Sequence, residues 1–139
     1  MTGGSLSFTN TVVAKLSPTG SCSWSKIFSA SNAGQGRGIA VDNNNNILIT
    51  GYFVGPVDFG GGPLSSSGLN IFVAKYSPSG AYIWAESFGG VSSDVGNAID
   101  VDNSGNVLTT GYFQGTVDFG GGLLSSHGGL DIFLVKLAP

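Results

Sequence analysis

The sequence is written twice. VAKYSPSG at residues 73–80 repeats VAKLSPTG at residues 13–20, and GYFQGTVDFGGG at 111–122 repeats GYFVGPVDFGGG at 51–62. Trp84 matches Trp24, Phe88 matches Phe28 and Asp102 matches Asp42. The offset is 60 residues, becoming 61 past His127, where one glycine is inserted. A long fixed period constrains a chain more than its composition does. Each copy must form the same local unit, and the units must stack to bury their faces. The 139 residues therefore hold two copies and an overhang rather than one irregular domain.

Four strand signals recur in each period. In the second copy, residues 70–77 (NIFVAKYS) are rich in β-branched and aromatic side chains. They end in Ser-Pro-Ser-Gly, where Pro presets φ and Gly accepts a positive φ, so residues 81–88 read as the returning strand of a hairpin. A polar loop is expected over residues 90–97. Residues 98–102 place Ile99 and Val101 on one face, and a tight Asn-Ser-Gly turn leads into residues 106–113. There Val107, Thr109, Gly111 and Phe113 share one face, and Leu108, Thr110 and Tyr112 share the other. The Gly-rich segment 114–130 reads as a long loop anchored by Val117 and Phe119.

No sustained helical period occurs, so the chain is expected to be all-β. Tandem units of four antiparallel strands are the grammar of β-propeller blades. A β-sandwich also has many short strands but does not require one half to copy the other, and a parallel β-helix uses shorter coils.

Composition excludes several classes. Only 9% of residues are charged, against roughly 25% in an average domain, while 41% are hydrophobic, which argues against disorder. A net charge of −3 offers no basic patch for nucleic acid. No apolar run approaches the roughly 20 residues needed to cross a bilayer, so no membrane insertion is expected. MTGGSLSFTN lacks the basic start and apolar core of a signal peptide. Cys22 is the sole cysteine, and its counterpart is Tyr82, so the repeat requires no thiol there.

The set VAK-x-S-P-x-G, a Trp four residues later, I-x-V-D-N, T-G-Y-F and V-D-F-G resembles the bacterial seven-bladed β-propeller (SBBP) repeat. The resemblance covers almost the whole chain. It implies residues 98–102 and 106–113 as the inner pair of a blade and 70–77 and 81–88 as the outer pair. It also implies a rigid scaffold, often extracellular or at a cell surface, with no shared catalytic motif. The chain divides into a lead-in at 1–10, a first repeat at 11–70, a second at 71–131 and the first strand of a third at 132–139.

In that order the chain runs outer pair, whole blade, then a third blade without its outermost strand. A copy of that strand lies at residues 22–28. It is expected to complete the unfinished blade of a neighbouring molecule in a head-to-tail joint, closing a ring or extending a fibre. The strand holding Lys15 is then one more than a clean ring needs, a surplus that also fits a chain taken from a longer array.

Lys15, Lys75 and Lys136 hold one place in three copies of a strand. Asp42 with Asp102, and Asp58 with Asp118, also recur. In a chain so poor in charge these are expected to form structural pairs, because an unpaired buried charge costs several kcal/mol. The turns DNNNN and DNSGN resemble calcium loops, but the twelfth positions hold Phe53 and Phe113 where a carboxylate is needed. The turn reading fits better. The GGG runs lack the Lys-Ser or Lys-Thr of a phosphate loop and are expected to let backbone pass close to neighbouring strands. His127 lacks a nearby Cys or second His. Trp24, Trp84, Phe28 and Phe88 are expected to pack between blades. The copies differ most at 29–37 against 89–97, which leaves these loops the most open to function.

No catalytic set recurs in both copies, and no cofactor or metal site can be assembled. The expected function is a non-enzymatic scaffold whose partners are copies of itself or other blades of a parent array. The alternative is a carbohydrate-binding module with shallow sites between blades, using Tyr52, Tyr112, Asp58 and Asp118 to hold glycans. A propeller lyase or hydrolase is the third reading.

Overall fold

The computed structural model describes residues 9–30 and 32–139. Most of the lead-in, residues 1–8, and Ser31 of the 29–37 segment lie outside the described residues. Among the described residues eleven strands follow one another: β1 (Thr11–Leu16), β2 (Cys22–Phe28), β3 (Ala33–Val41), β4 (Ile47–Val54), β5 (Val57–Asp58), β6 (Pro63–Leu64), β7 (Asn70–Tyr76), β8 (Tyr82–Phe88), β9 (Val95–Val101), β10 (Val107–Asp118) and β11 (Leu123–Leu137). The described residues contain no helix.

The strands form antiparallel sheets in the order β1-β2, β3-β4-β7-β8 and β9-β10-β11, with a small β5-β6 ribbon. The four-stranded sheet is a complete propeller blade. It spans the end of the first sequence copy and the start of the second, so the structural unit is offset from the sequence repeat. β1-β2 matches the outer half of that blade, and β9-β10-β11 matches its first three strands.

Turn chemistry sets these hairpins. In each outer hairpin a Ser-Pro-x-Gly turn closes with the glycine at φ 83°: Ser17 N–H donates to Ser21 O, and Ser77 N–H to Ala81 O, both at 2.8 Å. In the inner hairpins Asp42 accepts from Asn44 and Asn46 N–H and from Asn46 Nδ2. Asp102 repeats the arrangement with Ser104 and Asn106. Gly51 and Gly111 stand opposite bulges in β3 and β9. A Cβ at either would run into the carbonyl of Gln35 or Val95.

Two equivalent cores lie between the sheets. The first joins β1-β2 to the complete blade through Val13, Phe28, Ile47, Ile49, Phe53, Phe59, Phe72 and Tyr76. The second joins that blade to β9-β10-β11 through Leu48, Ile71, Val73, Phe88, Val107, Phe113, Val117 and Phe133. The aromatic geometry repeats as well. Phe59 lies 5.2 Å from Phe28 and 4.6 Å from Phe72, and Phe119 lies 5.7 Å from Phe88 and 4.9 Å from Phe133.

Three expectations are corrected. The segment 114–130 is not a long loop, because β10 and β11 continue through most of it as one hairpin. Alternation of apolar side chains is weak there, with Gly115 on β10 and Ser125, Ser126, Gly128 and Gly129 on β11, so its ladder rests on backbone hydrogen bonds that side-chain patterning does not report. The expected loop 90–97 is partly strand, since β9 begins at Val95, and Asp94 within it is fully buried. Likewise most of the 29–37 segment belongs to β3 rather than to a loop.

Candidate functional site

The recurring charges occupy unlike surroundings. Lys75 Nζ lies 3.0 Å from Asp42 Oδ2, with both side chains under a tenth exposed. Burial by itself would raise the Asp42 carboxyl. The Asn46 side chain and N–H, the Lys75 ammonium and the Asn44 N–H outweigh it and bring the carboxyl down to about 2. Lys136 holds Asp102 at 2.7 Å, but here the side chains are 57% and 30% exposed. Lys136 first, then Asn106, keep the Asp102 carboxyl well below the usual carboxylate range. Lys15, in the same place on β1, instead donates to the Pro78 carbonyl at 2.9 Å, which Trp24 Nε1 also reaches at 3.1 Å.

Trp24 and Phe28 pack in the first core and Trp84 and Phe88 in the second. Asp58 and Asp118 each accept two N–H bonds from their own glycine turns, Gly60 and Gly62 or Gly120 and Gly122, at 2.7 and 3.1 Å. Tyr52 is half-buried beneath the Arg37 guanidinium, 5.2 Å from the ring centre, and Tyr112 is half-buried on β10. Arg37 is held by Asn97 Oδ1 at 2.8 Å and Gln35 Oε1 at 3.2 Å. Among the described residues no group of three or more His, Cys, Asp or Glu side chains could hold a metal ion.

Sequence reasoning missed Asp94. Its carboxylate accepts from Gly90 N–H at 2.9 Å and Gln114 N–H at 3.0 Å, and its own N–H donates to Leu69 O at 2.8 Å. It thereby ties the complete blade to the third sheet. A lone carboxylate where the first copy has Gly34 was the available signal, but one copy gives no periodicity to read.

Among the described residues, large apolar side chains are exposed on both the β1-β2 and the β9-β10-β11 sheets. On the complete blade, Ile71 and Val73 are 0% exposed because the third sheet covers them. Their counterparts on the third sheet, Ile132 and Leu134, are 84% and 72% exposed. At the opposite end, Phe72 and Tyr76 are buried beneath β1-β2, but their counterparts Val12 and Leu16 are 61% and 60% exposed. Ile39 and Val41 on β3 are similarly open, whereas their counterparts Ile99 and Val101 pack into the second core. A groove of about 410 Å³ runs between β1 and β3 over Val13, Ile39 and Ile49. Exposed apolar faces of this kind are binding surfaces in soluble proteins. Here each open face has a covered twin in the same molecule.

A complete four-stranded blade flanked by partial ones, stacked face to face, makes this chain an open run of β-propeller blades. Residues 23–52 match the model of the SBBP family, described as a beta-propeller repeat, and this stretch takes in β3 and most of β2 and β4. The chain is also similar to an uncharacterized WD repeat-containing protein of Acanthamoeba polyphaga mimivirus, at 39% identity over 90 residues. That match covers 57% of this chain and 6% of the curated relative.

Proposed function

We propose that this chain is a non-enzymatic interaction scaffold whose open blade faces bind further blades of the same kind, so that copies join head to tail into a ring or an open fibre. The observation that carries the proposal is the contrast between Ile71 and Val73, 0% exposed, and their counterparts Ile132 and Leu134, 84% and 72% exposed. Blade stacking is the physical means by which this sequence buries those positions. Burying each such side chain contributes about 1.5–3 kcal/mol. The similarity to a WD repeat-containing protein supports an interaction role of propeller type.

Sedimentation or light scattering across a range of concentrations tests the reading. The expected result is mass in multiples of the 14.0 kDa chain, with Leu134→Asp returning the protein to a folded monomer. A wild-type chain that stays monomeric at every concentration overturns the proposal. Imaging of the larger species separates rings from fibres.

A further inference from the structure

Resting on this head-to-tail reading, we infer that β1 is a placeholder: in the joint between two copies it leaves its seat beside β2, and β11 of the neighbouring copy takes that seat. β1 and β11 are the same strand of the repeat, with Lys15 and Lys136 at equivalent positions. Merging the three-stranded sheet of one copy with the β1-β2 hairpin of the next therefore gives two claimants to one place. Either β1 displaces β11 from β10, or β11 displaces β1 from β2.

The ladders favour the second exchange. β10 and β11 are paired at eleven positions, while β1 and β2 are paired at six, with a register break before Leu16. Side chains point the same way. In its seat β1 offers Thr11 and Val13 to the complete blade, and both are already 6% exposed. The internal junction uses Ile71 and Val73 at those positions, and β11 brings Ile132 and Leu134, now open to solvent. The reverse exchange removes buried Phe133 from its stack on Phe119 and puts Val12 in its place, leaving a hole.

The seat also fits from the other side. On the complete blade Trp84 stands opposite Lys75, and Tyr82 opposite Tyr76. Applying that register to β11 sets Trp24 of β2 opposite Lys136 and Cys22 opposite Leu137. The Lys136–Asp102 pair, 57% and 30% exposed, is then enclosed as Lys75–Asp42 is. Gly61 lies hard against Tyr82, while its counterpart Gly121 faces open space. Beside it a groove of about 510 Å³ follows β11 over Phe113, Phe119 and Phe133. An extended strand laid on a sheet edge gains main-chain hydrogen bonds from the edge and specificity from such side-chain slots. Exchange of one equivalent strand between copies is a low-cost route to assembly.

A reversible lock tests this. Leu16 is the partner of Cys22 across the β1-β2 hairpin and is 60% exposed. In Leu16→Cys, oxidation staples β1 to β2, with bond formation checked by mass spectrometry. The expected result is that the oxidised protein remains a monomer and that adding reductant restores assembly to the wild-type extent. Equal assembly of oxidised and reduced protein overturns the exchange and leaves the head-to-tail reading standing. A monomer in wild type and in both redox states overturns that reading, and this inference with it. A second staple, Val13→Cys with Lys26→Cys in a Cys22→Ser background, repeats the test at another paired rung, away from the register break.

Discussion

Replacing Lys75 by Met isolates the contribution of burial to one ion pair, because the chain contains the same pair twice in different surroundings. Met keeps most of the aliphatic stem and removes the ammonium 3.0 Å from Asp42. The stranded carboxylate is 3% exposed, although it keeps three donors from Asn44 and Asn46. Breaking a buried pair from one side costs about 3–5 kcal/mol, and the surviving donors place this case at the lower end. A loss of about 3 kcal/mol in a chain of this size lowers the melting temperature by roughly 10 °C. Thermal unfolding by calorimetry in dilute solution at neutral pH measures it. Lys136→Met removes the same contact at a pair 57% and 30% exposed, and its shift should be a small fraction of the first. Adding Asp42→Asn to Lys75→Met should recover part of the loss, since no charge is then left buried. Equal shifts for the two lysines, or a Lys75→Met protein that melts with the wild type, refute the reasoning.

Other expectations follow from single contacts. The Asp42 carboxyl is depressed in the fold from 3.8 to about 2, so its stabilisation is complete above about pH 4 and disappears as pH falls through about 2. The loss is about 2 kcal/mol, and denaturant titrations between pH 5 and pH 2 should show a shallower fall in Asp42→Asn. Asp94→Ala leaves the N–H groups of Gly90 and Gln114 without their buried acceptor and should lower stability by about 2–4 kcal/mol in urea unfolding. Gly111→Ala drives a methyl into the Val95 carbonyl and the Phe133 ring and should destabilise by about 1–3 kcal/mol. Gly121→Ala, which meets nothing, should leave the melting temperature unchanged.

Much of the fold was legible because repetition converts weak signals into strong ones. A Ser-Pro-x-Gly turn or a T-G-Y-F strand is ambiguous alone, but two copies at one spacing specify which segments must be structurally alike. Alternation along 107–113 gave the buried face of β10 directly, because a residue's face in a strand follows from parity. The hairpin of β10 with the first part of β11 escaped notice because its Gly-rich turn and the Ser- and Gly-rich start of β11 carry no apolar alternation. Asp94 escaped because its partners are backbone groups of distant segments, which leave no mark in residue identity.

By itself, then, the sequence determined the repeating unit, its four strands and the side chains that recur for packing and pairing, since these depend on local periodicity and turn chemistry. Tertiary structure decided which copy of each side chain is covered. Lys75 and Lys136 are the same residue in the same strand, and so are Val73 and Leu134 by position. One of each is enclosed and the other is open. Burial depends on what lies across the sheet, and local sequence does not carry that information.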